Sequence, residues 1–391
     1  MSSIDFIKIP LNLMRTLGLS LPTKSDDPKN LYKFQPRWLL PLTVLNTIYS
    51  AIGQTAITKK YLERGENLWL TASFMFTFIY MIDTLAKLFL IFHQRKSFND
   101  LLIDLDEIFP KIQRQQNEYR LKQYLHKFKQ FAISCIFLQI AFGQYIGWNK
   151  IIVAYFESST ANGTFEMKLP FGDEYPYYTY SPISYAFLFA NQFWQAYICC
   201  ASVYSVNLIV CGIISQIQMH YDHLHWKLTS FSEPNSDQSD YEHLIWCIKK
   251  QNQLDSIFYR LNDACAMANL IGICCGCVEL ALFSFMGINF PHWNDFLNNI
   301  FGAMLACMEL FMLCLFSQRI SDSVKAVNEA TYQSNWINKP LIYKKAMILM
   351  IQQNRRTILL KAYKFSDLSM ETFSSILKFS YKLVMLLNNF N

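Results

Sequence analysis

Residues 365–391 read FSDLSMETFSSILKFSYKLVMLLNNFN. Wound as a helix, Asp367, Glu371, Ser375, Lys378 and Lys382 fall on one stripe that runs into Leu386 and Phe390. Leu368, Phe373, Ile376, Leu377, Phe379, Leu383, Val384 and Leu387 cover the rest of the circumference. At about 26 residues such a helix is long enough to cross ~30 Å of hydrocarbon. A charged seam is expensive against lipid and turns toward protein or water instead. The pattern therefore predicts a spanning helix with one wet side. It either lines an aqueous pore whose apolar far end closes by dewetting, or it buries that side in a helix bundle.

The rest of the chain has the same character. Of 391 residues, 52% are hydrophobic and 16% aromatic, with only 12 Gly and 12 Pro, which argues against a string of soluble modules. The mean hydropathy of +0.13 is modest, so sizeable polar parts must separate the apolar runs. The net charge of +6 is scattered beside apolar segments rather than gathered in a stripe. It points to a lipid bilayer as the partner and not to nucleic acid. Most of the 11 cysteines lie inside apolar segments and read as small packing residues. Residues 1–35, broken by Pro10, Pro22 and Pro28, do not have the pattern of a cleavable leader, so the amino terminus is expected to stay in the cytosol.

Seven long apolar segments, at about 38–57, 68–92, 131–155, 183–214, 264–288, 296–316 and 365–390, predict an all-α membrane protein with seven transmembrane helices. Residues 341–351 form a shorter apolar run, read as a cytoplasmic or interfacial helix. The odd-numbered connections hold only Lys59, Lys60, Arg64, Lys150 and Lys168, while the amino-terminal stretch and the even connections are rich in Lys and Arg. This places the amino terminus inside and the carboxyl terminus outside, the reverse of a G-protein-coupled receptor. Asn162-Gly163-Thr164, in the longest outer loop, is a candidate glycosylation site. Residues 97–130 and 241–262 keep helical periodicity, so several spans should continue into a cytosolic bundle. Glu233-Pro234-Asn235-Ser236-Asp237 is the clearest break. The chain thus divides into a cytoplasmic segment 1–37, helices one to six over 38–340 with an outer-half pocket and helical extensions, and an anchor helix with the final span over 341–391.

Asp83 and Lys87, four apart in the second segment, should share a face and neutralise each other. Glu279 and Glu309, in the fifth and sixth segments, have no partner legible from sequence. His220, His223 and His225 invite a metal reading, but His225 points away from the other two and nothing completes a ligand set. Cys274-Cys275-Gly276-Cys277 sits in mid-span with no second pair. With no phosphate loop and no nucleophile elbow, nothing predicts an enzyme or a cofactor.

Aromatic and small residues recur in the outer halves of several spans. Candidate pocket residues are Phe74 and Phe78; Gly143, Ile146 and Gly147, beside Tyr145 and Trp148; Tyr185, Phe189, Gln192 and Phe193; and Phe301 and Met304. Glycines opposite aromatics with a few polar groups make an apolar cavity for a small ligand. The same residues also serve plain helix packing.

The motif Ser369-Met370-x-x-Phe373-x-x-Ile376-Leu377-Lys378-x-Ser380-Tyr381 resembles the carboxyl-terminal signature of the insect odorant receptor family. Leu310-Phe311-x-x-Cys314, followed by Ser323, Ala330, Tyr332 and Trp336, is similar to the same family's pattern upstream. The resemblance implies a subunit of a ligand-gated, non-selective cation channel, a heterotetramer with the co-receptor Orco in the plasma membrane of olfactory neurons. It implies a small volatile odorant bound in the outer half among helices two, three, four and six. It also implies final helices that line a shared pore, with hydrophobic gate positions at Leu386 and Phe390 and a polar pore position at Asn389. Lys382 departs from the family pattern, and a lysine beside a cation pathway repels the ions it should pass. The fourth connection is too short for the co-receptor, which leaves an odorant-tuning subunit. The alternatives are a gustatory-type channel with a more polar ligand, or a secondary transporter, which would need inverted repeats that the sequence lacks.

Overall fold

The computed structural model describes residues 1–19, 38–63, 68–160, 169, 181–230, 237–289, 293–334, 336–353 and 358–390. A short 3-10 helix, Ser3–Phe6, leads into α1 (Lys8–Arg15) and α2 (Leu39–Glu63). The next four helices are α3 (Leu68–His93), α4 (Arg95–Ile108), α5 (Gln113–Glu118) and α6 (Leu121–Thr160). They are followed by α7 (Pro182–Ser230), α8 (Asp237–Ile288), α9 (Trp293–Gln333), α10 (Leu341–Gln353) and α11 (Met370–Phe390). Each of the seven apolar segments lies on a long helix: α2, α3, α6, α7, α8, α9 and α11. Four of these, α3, α7, α8 and α9, are long and apolar enough to cross a membrane on composition alone. The remaining three dilute their apolar runs with polar side chains, among them Thr43, Thr47, Ser50 and Gln54 on α2, all of which point into protein.

Helices α6 to α9 hold 40, 49, 52 and 41 residues. At 1.5 Å per residue they run ~60–78 Å, about twice the hydrocarbon thickness. The surplus forms a second bundle at the end of the molecule that holds the amino terminus, as the periodicity of 97–130 and 241–262 predicts. Its core joins Phe98, Leu101 and Leu105 of α4, Leu125 and Phe128 of α6, Ile217 and Leu224 of α7, Leu254 and Phe258 of α8, and Ile320 and Val327 of α9. Residues 3–15 are part of this core: Phe6, Ile7, Leu11 and Met14 are buried in it, each contributing roughly 1.5–3 kcal/mol by burial. Gly212 on α7 makes that close approach possible, since a Cβ there would stand 2.9 Å from Ile7 Cγ2. The Gln216 amide donates to the Ser3 carbonyl at 2.7 Å and closes the joint. Around the rim, Tyr124 donates to Asp222 and Tyr221 to Asp255, while Arg260 pairs with Asp104 and Lys339 with Asp240.

The final helix begins later than the sequence predicts. Lys361–Ala362 and Ser366–Asp367 pair as a two-stranded antiparallel hairpin, with Tyr363 in the left-handed region at φ 52°. The hairpin is held to its neighbours by three main-chain bonds. Lys361 N donates to Asn262 Oδ1 at 2.7 Å, Leu360 N to Ser317 Oγ at 2.8 Å, and Tyr363 N to the Ala266 carbonyl at 3.1 Å. Ser369 then caps the helix, accepting from Thr372 N at 3.1 Å. Asp367 therefore leaves the predicted stripe, and Phe365 and Leu368 leave the predicted helix. The 21 residues that remain in α11 still reach ~31 Å, enough to span.

Candidate functional site

In the half of the bundle away from the amino terminus, α2, α3, α6, α7, α8 and α9 enclose a cavity of about 110 Å³. It exists because small side chains face one another across the helices, Gly143 on α6 opposite Ala196 on α7 and Gly302 and Ala306 on α9. Gly302 is the tightest point: a Cβ there would lie 2.3 Å from the Phe283 ring, so only glycine lets that ring lie flat on α9. Phe76 packs on the other side of Phe283 with ring centroids 4.6 Å apart. Phe142, Tyr80 and Tyr204 complete an aromatic wall.

The wall is less apolar than a purely steric pocket requires. Thr77 Oγ1 donates to Gln54 Oε1 at 3.1 Å, and the Gln139 amide donates to Tyr80 OH and approaches Cys200 Sγ, both at 3.2 Å. Gln195 is held by Asn46 at 2.8 Å and donates to Thr47 Oγ1 at 3.3 Å. The floor is a buried charge cluster. Lys87 Nζ lies 2.7 Å from Asp83 Oδ2, as the four-residue spacing predicts, and 2.6 Å from Glu309 Oε1, the partner the sequence could not name. Asn207 donates to the same Glu309 oxygen at 2.8 Å. One ammonium thus serves two carboxyls, and buried ions of this kind persist only while their partners remain. Glu279, also on the cavity wall, is buried, and its Oε1 has no hydrogen-bond partner among the described residues.

Of the residues expected to bind a ligand, the cavity brings together Gly143 and Gln192. The others lie higher or to the side. Tyr185, Phe189, Phe193 and Trp148 form a chain of ring contacts with centroids 6.0, 4.7 and 6.0 Å apart. Phe74 is buried and stacks on Tyr61 at 5.2 Å. Phe78 lines a separate open cleft with Thr58 and Leu62 of α2. Phe301 meets Tyr145 edge-on at 6.3 Å, and both Phe301 and Met304 are exposed. Ile146 and Gly147 lie on α6, but their side chains are outside the described residues, as is Asn162. Sequence reasoning missed Gln54, Gln139 and Gln195. The signal was present in three glutamines placed mid-span, where a polar side chain needs a reason.

His220 and His223 sit on the extension of α7 beyond the membrane segment. His223 stacks on Tyr119 with ring centroids 3.6 Å apart, and Tyr119 meets His220 edge-on at 5.2 Å. Burial, reinforced by Lys227 and Lys250, pulls His223 down to about 4 and keeps it neutral. Among the described residues no three His, Cys, Asp or Glu side chains converge as metal ligands.

Helix α11 lies outside the cavity, on the far side of α8 and α9. It packs against α8 and α9 through Phe373, Ile376, Ser380, Leu383 and Val384. Ser380 Oγ lies 3.2 Å from Cys277 Sγ and donates to the Cys277 carbonyl at 3.1 Å. Near the far end Asn289, just past the end of α8, donates to Asn388 Oδ1 at 2.7 Å. The opposite face, with Glu371, Ser375, Lys378, Lys382, Leu386 and Asn389, is exposed. The side chain of Phe390 is outside the described residues. Phe283 lines the cavity and belongs to the same hydrophobic cluster as Val384 of the last helix.

The sequence model of a family described as 7tm Odorant receptor matches residues 70–381. Odorant receptor 85c of Drosophila melanogaster is 22% identical over 317 residues, covering 79% of each chain. Odorant receptor 67a of the same organism is 21% identical over 402 residues, covering 97% of this chain and 94% of that one. Among solved structures, the olfactory receptor OR5 from Machilis hrabei superposes with a TM-score of 0.81 at 12% identity, covering 99% of this chain and 98% of that one. The same receptor in complex with eugenol superposes with a TM-score of 0.82, also at 12% identity.

Proposed function

The chain belongs to the seven-transmembrane odorant receptor family, and on that premise we propose that it is the odorant-binding subunit of a ligand-gated, non-selective cation channel. In this reading a small, largely apolar volatile enters the cavity between α2, α3, α6, α7, α8 and α9. The relative solved with eugenol supports a small organic odorant as the kind of ligand. The chain would assemble with Orco in a heterotetramer in the plasma membrane of olfactory neurons, amino terminus inside. The exposed face of α11, including Lys382, Leu386 and Asn389, would turn toward the shared axis.

The observation that carries the reading is the shared ring of Phe283. Phe283 lines the cavity and shares a hydrophobic cluster with Val384 of α11, so a ligand that displaces the ring would disturb the packing on which the middle of α11 rests. A ligand opens the channel only by binding the open state more tightly, and a wall residue packed in one cluster with the pore helix is a direct way to create that difference. Leu386, exposed below the helix tip, and Phe390 would form the closed gate by excluding water.

The test is expression with and without the co-receptor under a panel of volatiles, together with Leu386→Ala and Phe390→Ala. The expected results are a current that needs both subunits and a raised resting leak in the alanine variants. Ligand-independent silence in every combination, or stoichiometric uptake without current, would overturn the reading.

A further inference from the structure

Glu279 of α8 and Gln139 of α6 both line the cavity, and both are more than nine-tenths buried. Each leaves one oxygen, Oε1, without a hydrogen-bond partner among the described residues. Buried polar atoms are almost always satisfied, so two orphaned oxygens on one cavity wall call for an explanation. The charge cluster below supplies none, because the Lys87 ammonium is already shared between Asp83 and Glu309.

The missing partner has a definable chemistry. An ionised Glu279 needs a donor. A protonated Glu279 needs an acceptor for its own proton. The Gln139 carbonyl only accepts. A hydroxyl group donates and accepts: it can donate to an ionised Glu279, or accept from a protonated Glu279 and turn its own single proton to Gln139. An ether, ester or ketone only accepts, and a hydrocarbon does neither. A charged ammonium would suit the anion but would have to shed its hydration on entering an aromatic cavity. Phe76, Phe142 and Phe283 line the same cavity, a wall suited to the apolar body of the same molecule.

We infer that the preferred ligand is a small, mostly apolar alcohol or phenol whose single hydroxyl is held by Glu279 and Gln139. The inference rests on reading the cavity as the odorant site and adds the functional group. Binding geometry then sets selectivity more sharply than shape alone. A site built to hydrogen-bond a hydroxyl rejects an analogue that leaves its buried polar groups unpaired.

The experiment compares matched ligands on the purified full-length protein: benzyl alcohol, benzyl methyl ether and toluene, and octanol, its methyl ether and octane. The readouts are thermal stabilisation and, in cells expressing the chain with Orco, current. The expected result is that each alcohol binds at least about tenfold more tightly than its ether and hydrocarbon. Glu279→Met should erase the preference, bringing each alcohol to the affinity of its own ether and hydrocarbon. Glu279→Gln, which keeps the shape and can still donate and accept, should retain part of it. Equal binding within each set by the wild type would overturn the hydroxyl assignment while leaving a small-molecule receptor standing. So would a preference that survives Glu279→Met. Absence of both binding and current for every compound would overturn the assignment together with the receptor reading.

Discussion

Ser380 of α11 donates to the carbonyl of Cys277 on α8 at 3.1 Å, with its Oγ 3.2 Å from the Cys277 sulfur. The contact is possible because both side chains are small, so two helix backbones meet near the middle of the membrane. It lies one to two turns from Val384 and Phe283, on the path that joins cavity and last helix. Ser380→Ala loses one bond of roughly 1 kcal/mol and keeps the close approach. Ser380→Leu forces the helices apart. The alanine variant should shift the ligand concentration for half-maximal current by about fivefold or less, and the leucine variant should uncouple ligand from current while ligand binding survives. Dose–response curves on both variants check this, and identical curves for the two would contradict it.

Gly302→Ala tests the wall itself. The new methyl would sit 2.3 Å from the Phe283 ring, so the ring must rotate into the cavity or toward α11. Overpacking of this kind costs typically ~1–3 kcal/mol, so folding should survive while the cavity shrinks. Sensitivity to bulky ligands should fall more than sensitivity to small ones. A homologous series of alcohols compared with wild type measures this directly, and a uniform loss across the series would mean that the cavity is elsewhere.

Lys87→Met removes the only cation of the buried cluster and leaves Asp83 and Glu309 facing each other without it. Breaking a buried pair from one side costs ~3–5 kcal/mol because a charge is stranded. The variant should be poorly folded, seen as reduced yield and a lower melting temperature in detergent. Neutralising the partners as well, with Asp83→Asn and Glu309→Gln, should recover most of the loss. A single variant as stable as wild type would show that the cluster is not ionised as its geometry implies.

How these elements stood in the sequence differs from case to case. The seven spans were legible because apolar runs of this length have few other uses, and the Asp83–Lys87 pair was legible because a helix fixes which residues share a face. Glu309 was not, because its partner lies 222 positions away and only the packing of α3 and α9 on α7 and α8 brings them together. Of the expected pocket residues, Gly143 and Gln192 line the cavity. Aromatic density drew attention to Tyr185, Phe189 and Phe193, which spend their faces on one another. The space itself opens where Gly143, Ala196 and Ala306 meet, and small residues leave a weak signal in a single sequence. The start of α11 was misread for a local reason: Phe365 and Ser366 continue the helical pattern, yet they belong to a hairpin whose Lys361 and Tyr363 main-chain N–H groups are held by Asn262 and Ala266 of α8.

The histidines of the α7 extension should make stability depend on pH. His223 is held neutral, its pKa drawn by burial from 6.5 to about 4, and His220 is lowered in the same direction by the same cause. Between about pH 6.5 and pH 4 the unfolded chain therefore binds more protons than the folded one. Stability rises with pH across that window and is lost as the pH falls through it. Thermal unfolding of the purified protein at pH 7 and pH 5 should show a lower melting temperature at the acid end. His223→Phe, which preserves the stacking on Tyr119 and cannot take a proton, should reduce the difference and leave the share that His220 carries. A variant with the wild-type slope would mean that the acid sensitivity does not arise from His223.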